Sequence, residues 1–420
     1  KNLRDIGNTV IIVEHDEEIM KDADQIIDLG PEAGTQGGEL IFQGKLSEIH
    51  KEKRSLTTKY LSGEKQIEIP RNRRIWKHSV RLNKIKINNI NNIDVEFPLE
   101  CLTLITGVSG SGKSSLIREA LNPSLEQIFN GYTSTKRNYK EININTNKYS
   151  KIEFIDQNPI GKSSRSNPIT YIKAYDDIRN LFSKQKLAVN RKYKSGYFSF
   201  NVDGGRCENC KGEGETTVEM QFMADVHLIC DICKGKKFKD DILEITFGDK
   251  NISEILNLTV KESIIFFRNF GQEKIAKKIE PLNEVGLGYV KLGQSSSTLS
   301  GGEAQRIKLA SFLGKGSQSE KIIFIFDEPT TGLHSHDIKK LLKSFNALIE
   351  RGHSIICIEH NLDVIKSADW IIDLGPEGGE NGGEIIFTGT PEDLCKDQKS
   401  LTAKYLKNKF KKKPNFKVGS

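Results

Sequence analysis

Two C-x-x-C pairs, Cys207 with Cys210 and Cys230 with Cys233, stand nineteen residues apart in this 420-residue chain, enclosed by two glycine-rich segments. Upstream is GVSGSGKS (Gly107 to Ser114); downstream are LSGGEAQR (Leu299 to Arg306) and IFIFDEPTTGLH (Ile323 to His334). The cysteine spacing is that of a zinc ribbon, where each knuckle supplies two thiolates and the hairpin between them closes the pairs around a tetrahedral ion. A redox pair and an iron–sulfur site are the alternatives. Because the flanking segments belong to one nucleotide-handling order, the metal module is expected inside a P-loop unit.

Composition narrows the class. The longest apolar runs, such as Ile322 to Phe326, are far too short to span a bilayer, which excludes a membrane-embedded transporter chain. Cys101, Cys357 and Cys395 follow no pairing pattern, so a reducing, cytoplasmic setting is expected. The net charge of +7 is modest, but its distribution is uneven. From Lys184 to Lys211, seven basic residues face only Asp203 and Glu208, with Tyr193, Tyr197, Phe198 and Phe200 interleaved. Such a stretch suits a nucleic-acid surface, with Lys192, Lys194 and Arg206 as candidate DNA contacts; a solvated basic face weighs equally.

Residues 7 to 61 align without a gap to residues 352 to 406, with 28 of 55 positions identical, which marks duplication of a module. The second copy follows a P-loop, a signature and a carboxylate strand; the first follows six residues, the chain opening on Lys1. The expected organisation is therefore the back end of one unit (1–63), a basic extended linker (64–80), a complete second unit (81–406) carrying an insertion over 159–251, and a basic tail (407–420). The chain reads as a partial protein.

Apolar β-branched runs at 102–105, 152–155, 322–326 and 354–358 alternate with helical patterns over 113–121, 260–269, 301 onward and 336–349. The expectation is α/β, with a largely parallel sheet covered on both faces and phosphate chemistry at the strands' carboxyl ends. There, Gly107, Gly110 and Gly112 let the loop curl so that its N–H groups, together with those of Ser109 and Ser115, point at phosphates. Lys113 would neutralise phosphate charge, and Ser114 would hold Mg²⁺ with Asp327, whose carboxylate closes a buried strand. Glu328 is the candidate general base and Gln157 a sensor of metal and water. His360 would meet the γ-phosphate; an ordinary strand-end histidine is the alternative, which its context, repeated as Glu14-His15, disfavours. Ser300, Gly301 and Gly302 offer a hydroxyl and open N–H groups at a helix start.

These motifs, with DQNPIGKSSRSNPITY (Asp156 to Tyr171), FSFNVDGGRCENCKGEGETTVEMQF (Phe198 to Phe222), VGLGYVKLGQSSSTLSGGEAQRIKLA (Val285 to Ala310) and the duplicated segments, resemble the UvrA family, the damage-sensing component of the bacterial UvrABC excision nuclease. The resemblance covers nearly the whole chain. It implies an ABC-type P-loop ATPase core with an inserted zinc-ribbon module, using ATP, Mg²⁺ and Zn²⁺. It further implies a sensor that forms a homodimer, recognises lesions in double-stranded DNA during nucleotide excision repair and loads UvrB, the next component of the excision nuclease, without itself being the nuclease. In ABC ATPases the signature caps ATP held by an opposing unit, so Ser300 to Gly302 would act across a dimer. An arginine is common in the family where Tyr197 stands, and a lysine where Asp203 stands. A self-protection relative of the same family, conferring antibiotic resistance, and a transporter-associated ABC motor are the other readings.

Overall fold

The computed structural model describes residues 1–410 except 32–33, 35–36, 132–137, 162, 164, 219, 221–225 and 315–319. The part of the expected basic tail beyond Phe410 lies outside the described residues, as do Lys162, Ser164, Glu219, Gln221 and Phe222 of the quoted motifs. No helix among the described residues is long and apolar enough to cross a membrane. The chain forms two compact bodies, Lys1–Phe154 with Glu320–Ser420, and Ile155–Ser319.

In the first body, β1 (Ile26–Gly30) and β2 (Glu39–Gly44) form a hairpin, followed by β3 (Ser79–Ile87), β4 (Ile90–Pro98), β5 (Leu102–Gly107), β6 (Glu141–Asn143) and β7 (Lys151–Ile155). The second body holds the short strands β8 (Glu215–Val218), β9 (Val226–Ile229), β10 (Thr246–Phe247) and β11 (Lys250–Asn251). The chain then returns to the first body with β12 (Ile322–Asp327), β13 (Ser354–Ile358), β14 (Trp370–Gly375) and β15 (Glu384–Gly389). The main sheet has the order β15-β14-β5-β13-β12-β7. Strands β14, β5, β13 and β12 pair in parallel, and β15 adds an antiparallel edge. All residues of β12 and β13 are buried, as continuous apolar runs in a sheet covered on both faces require. A second, antiparallel sheet, β4-β3-β6, alternates along β3 between buried and open positions because only one face meets the core.

The duplication is structural as well as sequential. Hairpin β1–β2 has the register of β14–β15, down to a shift between Asp28 and Leu29 that recurs between Asp373 and Leu374. In both copies the aspartate at the shift ties down the segment that follows the hairpin. Asp28 accepts from Ser55 and Thr57 (3.0 Å), and Asp373 from Ser400 (2.6 Å) and Thr402 (2.8 Å). The surroundings differ. Ile372 and Leu374 are fully buried beside β5, whereas Ile27 and Leu29 are more than 60% exposed, and no parallel strand lies beside β1 among the described residues.

Between the helix Leu56–Leu61 and β3 no helix or strand forms, and two basic residues of this stretch are fastened. Arg73 donates to the carbonyls of Ala368 and Lys366 (both 2.7 Å) and pairs with Glu392. Arg74 binds buried Asp369 through its backbone N–H (2.9 Å) and its guanidinium (3.1 Å). Trp76 meets Trp370 edge to face.

The second body takes in the insertion expected over 159–251 together with the helices Val260–Asn269 and Glu273–Glu284 and the signature helix Gly301–Leu313. Its core is aromatic, with Phe182, Phe198, Phe200, Phe238 and Phe267 fully buried.

Asp373 is the most demanding polar residue of the main sheet, since it also accepts from Thr106 of β5. Asp373→Ala should strand three hydroxyl donors and lower stability by about 3 kcal/mol. Asp28→Ala, at a half-open site, should cost about 1 kcal/mol or less. Urea denaturation midpoints of the two variants check the difference.

Candidate functional site

The loop Gly107–Ser114 leaves β5 at a position only glycine can occupy. Gly107 has φ +131°, and a Cβ there would lie 2.1 Å from the carbonyl oxygen of Leu374. The loop is gripped from outside by the turn after β14. Gly379 N–H donates to the carbonyl of Gly110 and Gly383 N–H to that of Ser111 (both 3.1 Å). Asn89, at the tip of the β3–β4 hairpin, donates to the carbonyls of Gly110 (3.0 Å) and Gly379 (2.9 Å), bracing both segments. Ser109, Gly110 and Ser114 are all open to solvent around the buried Ser111, and Asn88 donates to Ser115.

Lys113 is buried, and its ammonium donates to the carbonyls of Gly107 (2.9 Å) and Val108 (2.6 Å). Burial depresses its pKa below the usual lysine value, against the upward pull of Glu328, Asp373 and Asp327. The carboxylates expected from sequence are thus within electrostatic reach of the loop lysine. The helix expected over 113–121 is there but wound more loosely, as a π-helix over Ser115–Leu121 that passes into an α-helix at Asn122.

Asp327 ends β12, and its Oδ2 accepts from Nε of Arg118 at 2.6 Å. Sequence alone offers no partner for Asp327 except the metal. Glu328 has a left-handed backbone, φ +46°, with its N–H on the carbonyl of Ile358 (3.0 Å), which turns its side chain out at the end of β13. There Oε1 lies 3.0 Å from Nε2 of His360, so the structure joins these two candidates directly. Beneath them, buried Glu359 accepts from Thr330 N–H (3.0 Å) and Oγ1 (2.7 Å), His360 N–H (3.0 Å) and Asn361 N–H (3.1 Å). Burial raises its pKa, while these donors pull it back. His334, which ends DEPTTGLH, packs edge to face on Tyr60 of the first copy and lies 3.4 Å from Thr57 Oγ1.

In the second body, Ser300 caps the signature helix through a reciprocal pair, with Ser300 Oγ accepting from Glu303 N–H (3.3 Å) and Glu303 accepting from Ser300 N–H (2.8 Å). Arg306 is buried and donates to the carbonyls of Gly302, Val285 and Gly286, so the end of LSGGEAQR is an anchor. Gln157 lies against Gly301, where a Cβ would come 3.0 Å from that of Gln157. It is a neighbour of the signature within this body.

The four cysteines converge, with all sulfurs within 4.8 Å of one another and all four residues buried. The knuckles are related by a pseudo-two-fold exchange. Cys207 N–H donates to the carbonyl of Lys237 and Cys230 N–H to that of Gly214, each 23 residues from its counterpart. Lys211 and Lys234 share φ +49°, followed by Gly212 and Gly235 at +85° and +80°. Asn209 donates to Cys230 Sγ, and Gly214 N–H to Cys210 Sγ (both 3.3 Å). At Cys230 burial works against the thiolate, but backbone N–H groups of Cys233 and Ile232 and the Asn209 amide outweigh it and bring the pKa to about 6. Burial pushes Cys233 to about 12. A tetrahedral dication would take up this charge from all four sulfurs.

The basic stretch is only partly a surface. Lys192 and Lys194 are both exposed. Arg206 departs from the expectation: its guanidinium pairs with Asp203 and donates to the carbonyls of Asn201 and Lys211, clasping the first knuckle. Phe198 and Phe200 belong to the core, while Tyr193 and Tyr197 stack at 4.6 Å nearer the surface. Sequence reasoning misses Asn89, Arg118, Glu359 and Tyr60. Only Glu359 carries a signal, its recurrence as Glu14, which accepts from His15 N–H in the same turn.

No protein-family model matches the chain. Curated relatives do: UvrABC system protein A of Staphylococcus epidermidis and that of Clostridium perfringens are each 51% identical over 408 residues, covering 97% of this chain and 43% of the relative. UvrA2 from Deinococcus radiodurans superposes with a TM-score of 0.89 at 40% identity, over 97% of this chain and 49% of that one. The chain spans less than half the length of the curated relatives it matches. By sequence and fold together, it belongs to the UvrA family of UvrABC system proteins.

Proposed function

We propose that this chain binds and hydrolyses ATP with Mg²⁺ as part of an ATP-dependent system that recognises lesions in double-stranded DNA and passes the site to UvrB, the next component of the excision nuclease. The observation that carries the reading is that the buried lysine of a P-loop, Lys113, lies within electrostatic reach of Asp327 and Glu328, in a UvrA-family chain. Lys113 and the loop N–H groups would hold the phosphates, and Ser114 with Asp327 the metal. When bound, Mg²⁺ neutralises phosphate charge. Glu328 would take a proton from the attacking water, and His360, at 3.0 Å, would orient its carboxylate. Ser300 to Gly302 would cap nucleotide held by an opposing unit in a homodimer.

The reading is tested by measuring Mg²⁺-dependent nucleotide binding and phosphate release with intact and with lesion-bearing duplex. Absence of nucleotide binding would overturn it, and a rate indifferent to DNA would remove the coupling. Glu328→Gln should retain nucleotide affinity while turnover falls by at least about 100-fold. Single-turnover phosphate release and equilibrium titration separate the two steps.

Lys113 gives a pH signature. Its pKa is lowered by burial and would be raised again by a bound polyphosphate, so binding should take up a proton in the alkaline range below the usual lysine value. Calorimetry in two buffers of different ionisation enthalpy reads the uptake, which Lys113→Met should abolish.

The four cysteines are proposed to hold one zinc ion. Metal analysis should find about one equivalent, lost in Cys230→Ser. For DNA, replacing Lys192 and Lys194 together by alanine should reduce the salt slope of duplex binding by about 2. Arg206→Ala should instead loosen the knuckle.

A further inference from the structure

We propose that Arg118 stands in for the divalent cation at Asp327 in the nucleotide-free protein, so that metal and guanidinium exchange at one carboxylate and Arg118 sets the Mg²⁺ concentration at which nucleotide is held. The inference rests on the nucleotide site proposed above and goes beyond it, to a residue that no motif contains.

Asp327 closes a strand that is buried along its whole length, and a carboxylate in that position needs a cation beside it. In this structure the cation is Arg118. Its Nε donates to Oδ2 of Asp327 at 2.6 Å, and Nη2 closes on the same oxygen. Arg118 lies five positions beyond Lys113, on the helix that begins next to Ser114. One helix therefore presents the hydroxyl that would bind a metal and the guanidinium that holds the metal's other protein ligand.

The two cations are incompatible at Oδ2. A carboxylate oxygen that already accepts two charge-assisted hydrogen bonds offers poor geometry to an ion requiring near-octahedral oxygen ligands, and a dication beside a guanidinium is repelled. Arg118 can also leave. Its side chain is 54% exposed while that of Asp327 is 9%, so the guanidinium reaches the carboxylate from solvent and withdraws without disturbing the core. The ring of Phe154, 5.8 Å from its Cζ, offers a flat face along that path. An arginine serves this purpose better than a lysine because its fork holds the oxygen through two donors while its charge stays permanent.

The test is a Mg²⁺ titration of the affinity for a fluorescent, non-hydrolysable ATP analogue, in the unaltered chain, Arg118→Ala and Arg118→Lys. Arg118→Ala should lower the Mg²⁺ concentration for half-maximal tightening about five- to tenfold, and Arg118→Lys should fall between. Affinity without Mg²⁺ should change little, since Arg118 is given no contact with phosphate. Thermal unfolding without nucleotide accompanies each titration, and Arg118→Gln, which keeps a donor, replaces the alanine variant should that variant unfold. A Mg²⁺ midpoint that is unchanged or raised in the folded variants overturns the exchange and leaves a static ion pair. Absence of any Mg²⁺-dependent binding by the unaltered chain overturns the nucleotide site and this proposal with it.

Discussion

The approach of the Leu374 carbonyl to Gly107 is the constraint from which the site follows. Strand β5 lies between β13 and β14, and its last residue must turn out of the sheet without a side chain because the neighbouring backbone takes that space. One step back, Thr106 is tied to Asp373 of β14, so the point of departure is fixed from the side as well. The loop is then held by its own outside, where Gly379, Gly383 and Asn89 occupy the carbonyls of Gly110 and Ser111 or brace their neighbours. Curvature of this kind turns N–H groups toward the centre of the loop, and a phosphate site of backbone donors is rigid only when the carbonyls on its far side are satisfied. Lys113 completes the arrangement by directing its charge at two loop carbonyls.

Much of this is legible in the sequence. The four expected strands fall within a residue or two of the apolar runs, three of them buried and β7, at the sheet edge, half-buried, and the motifs name the loop, the carboxylates and the knuckles. What is not legible depends on pairs brought together by the fold. Arg118 is one charged residue on a helix, and nothing in its neighbourhood announces Asp327, 209 positions away. The aromatic and basic residues of 184–211 read as one surface, but their roles divide between core, clasp and solvent according to which way each side chain turns. Phe198 and Phe200 are core, Arg206 holds Asp203, and Lys192 is open. A local count of charge and aromaticity has no term for that direction.

The duplicated segment separates what sequence carries from what surroundings add. Two stretches with half their residues in common adopt the same hairpin, the same shift and the same aspartate anchor, so these features are local. Burial is not local. Ile27 and Ile372 occupy equivalent positions, one open and one fully enclosed, and residues 354–358 form a strand where their counterparts 9–13 do not. Strand pairing is decided by the partner as much as by the segment's own pattern. The first copy is nonetheless engaged with the second through Tyr60 and Thr57 on His334, which couples the repeat to the loop that carries Asp327 and Glu328.

The crossed hydrogen bonds of the two cysteine knuckles make the sulfur cage self-contained. Each knuckle is closed by the far end of the other, and the β8–β9 hairpin joins them only at its roots, where Glu215 pairs with Ile229 beside the Gly214–Cys230 bond. Beyond that pair the strands are largely open to solvent. Residues can therefore be added to or removed from the hairpin in facing pairs, keeping the alternation of the strands, while the cage below stays the same. The four-sulfur cage is a fixed base with an adjustable arm, and the reach of that arm can change while the cage keeps its form.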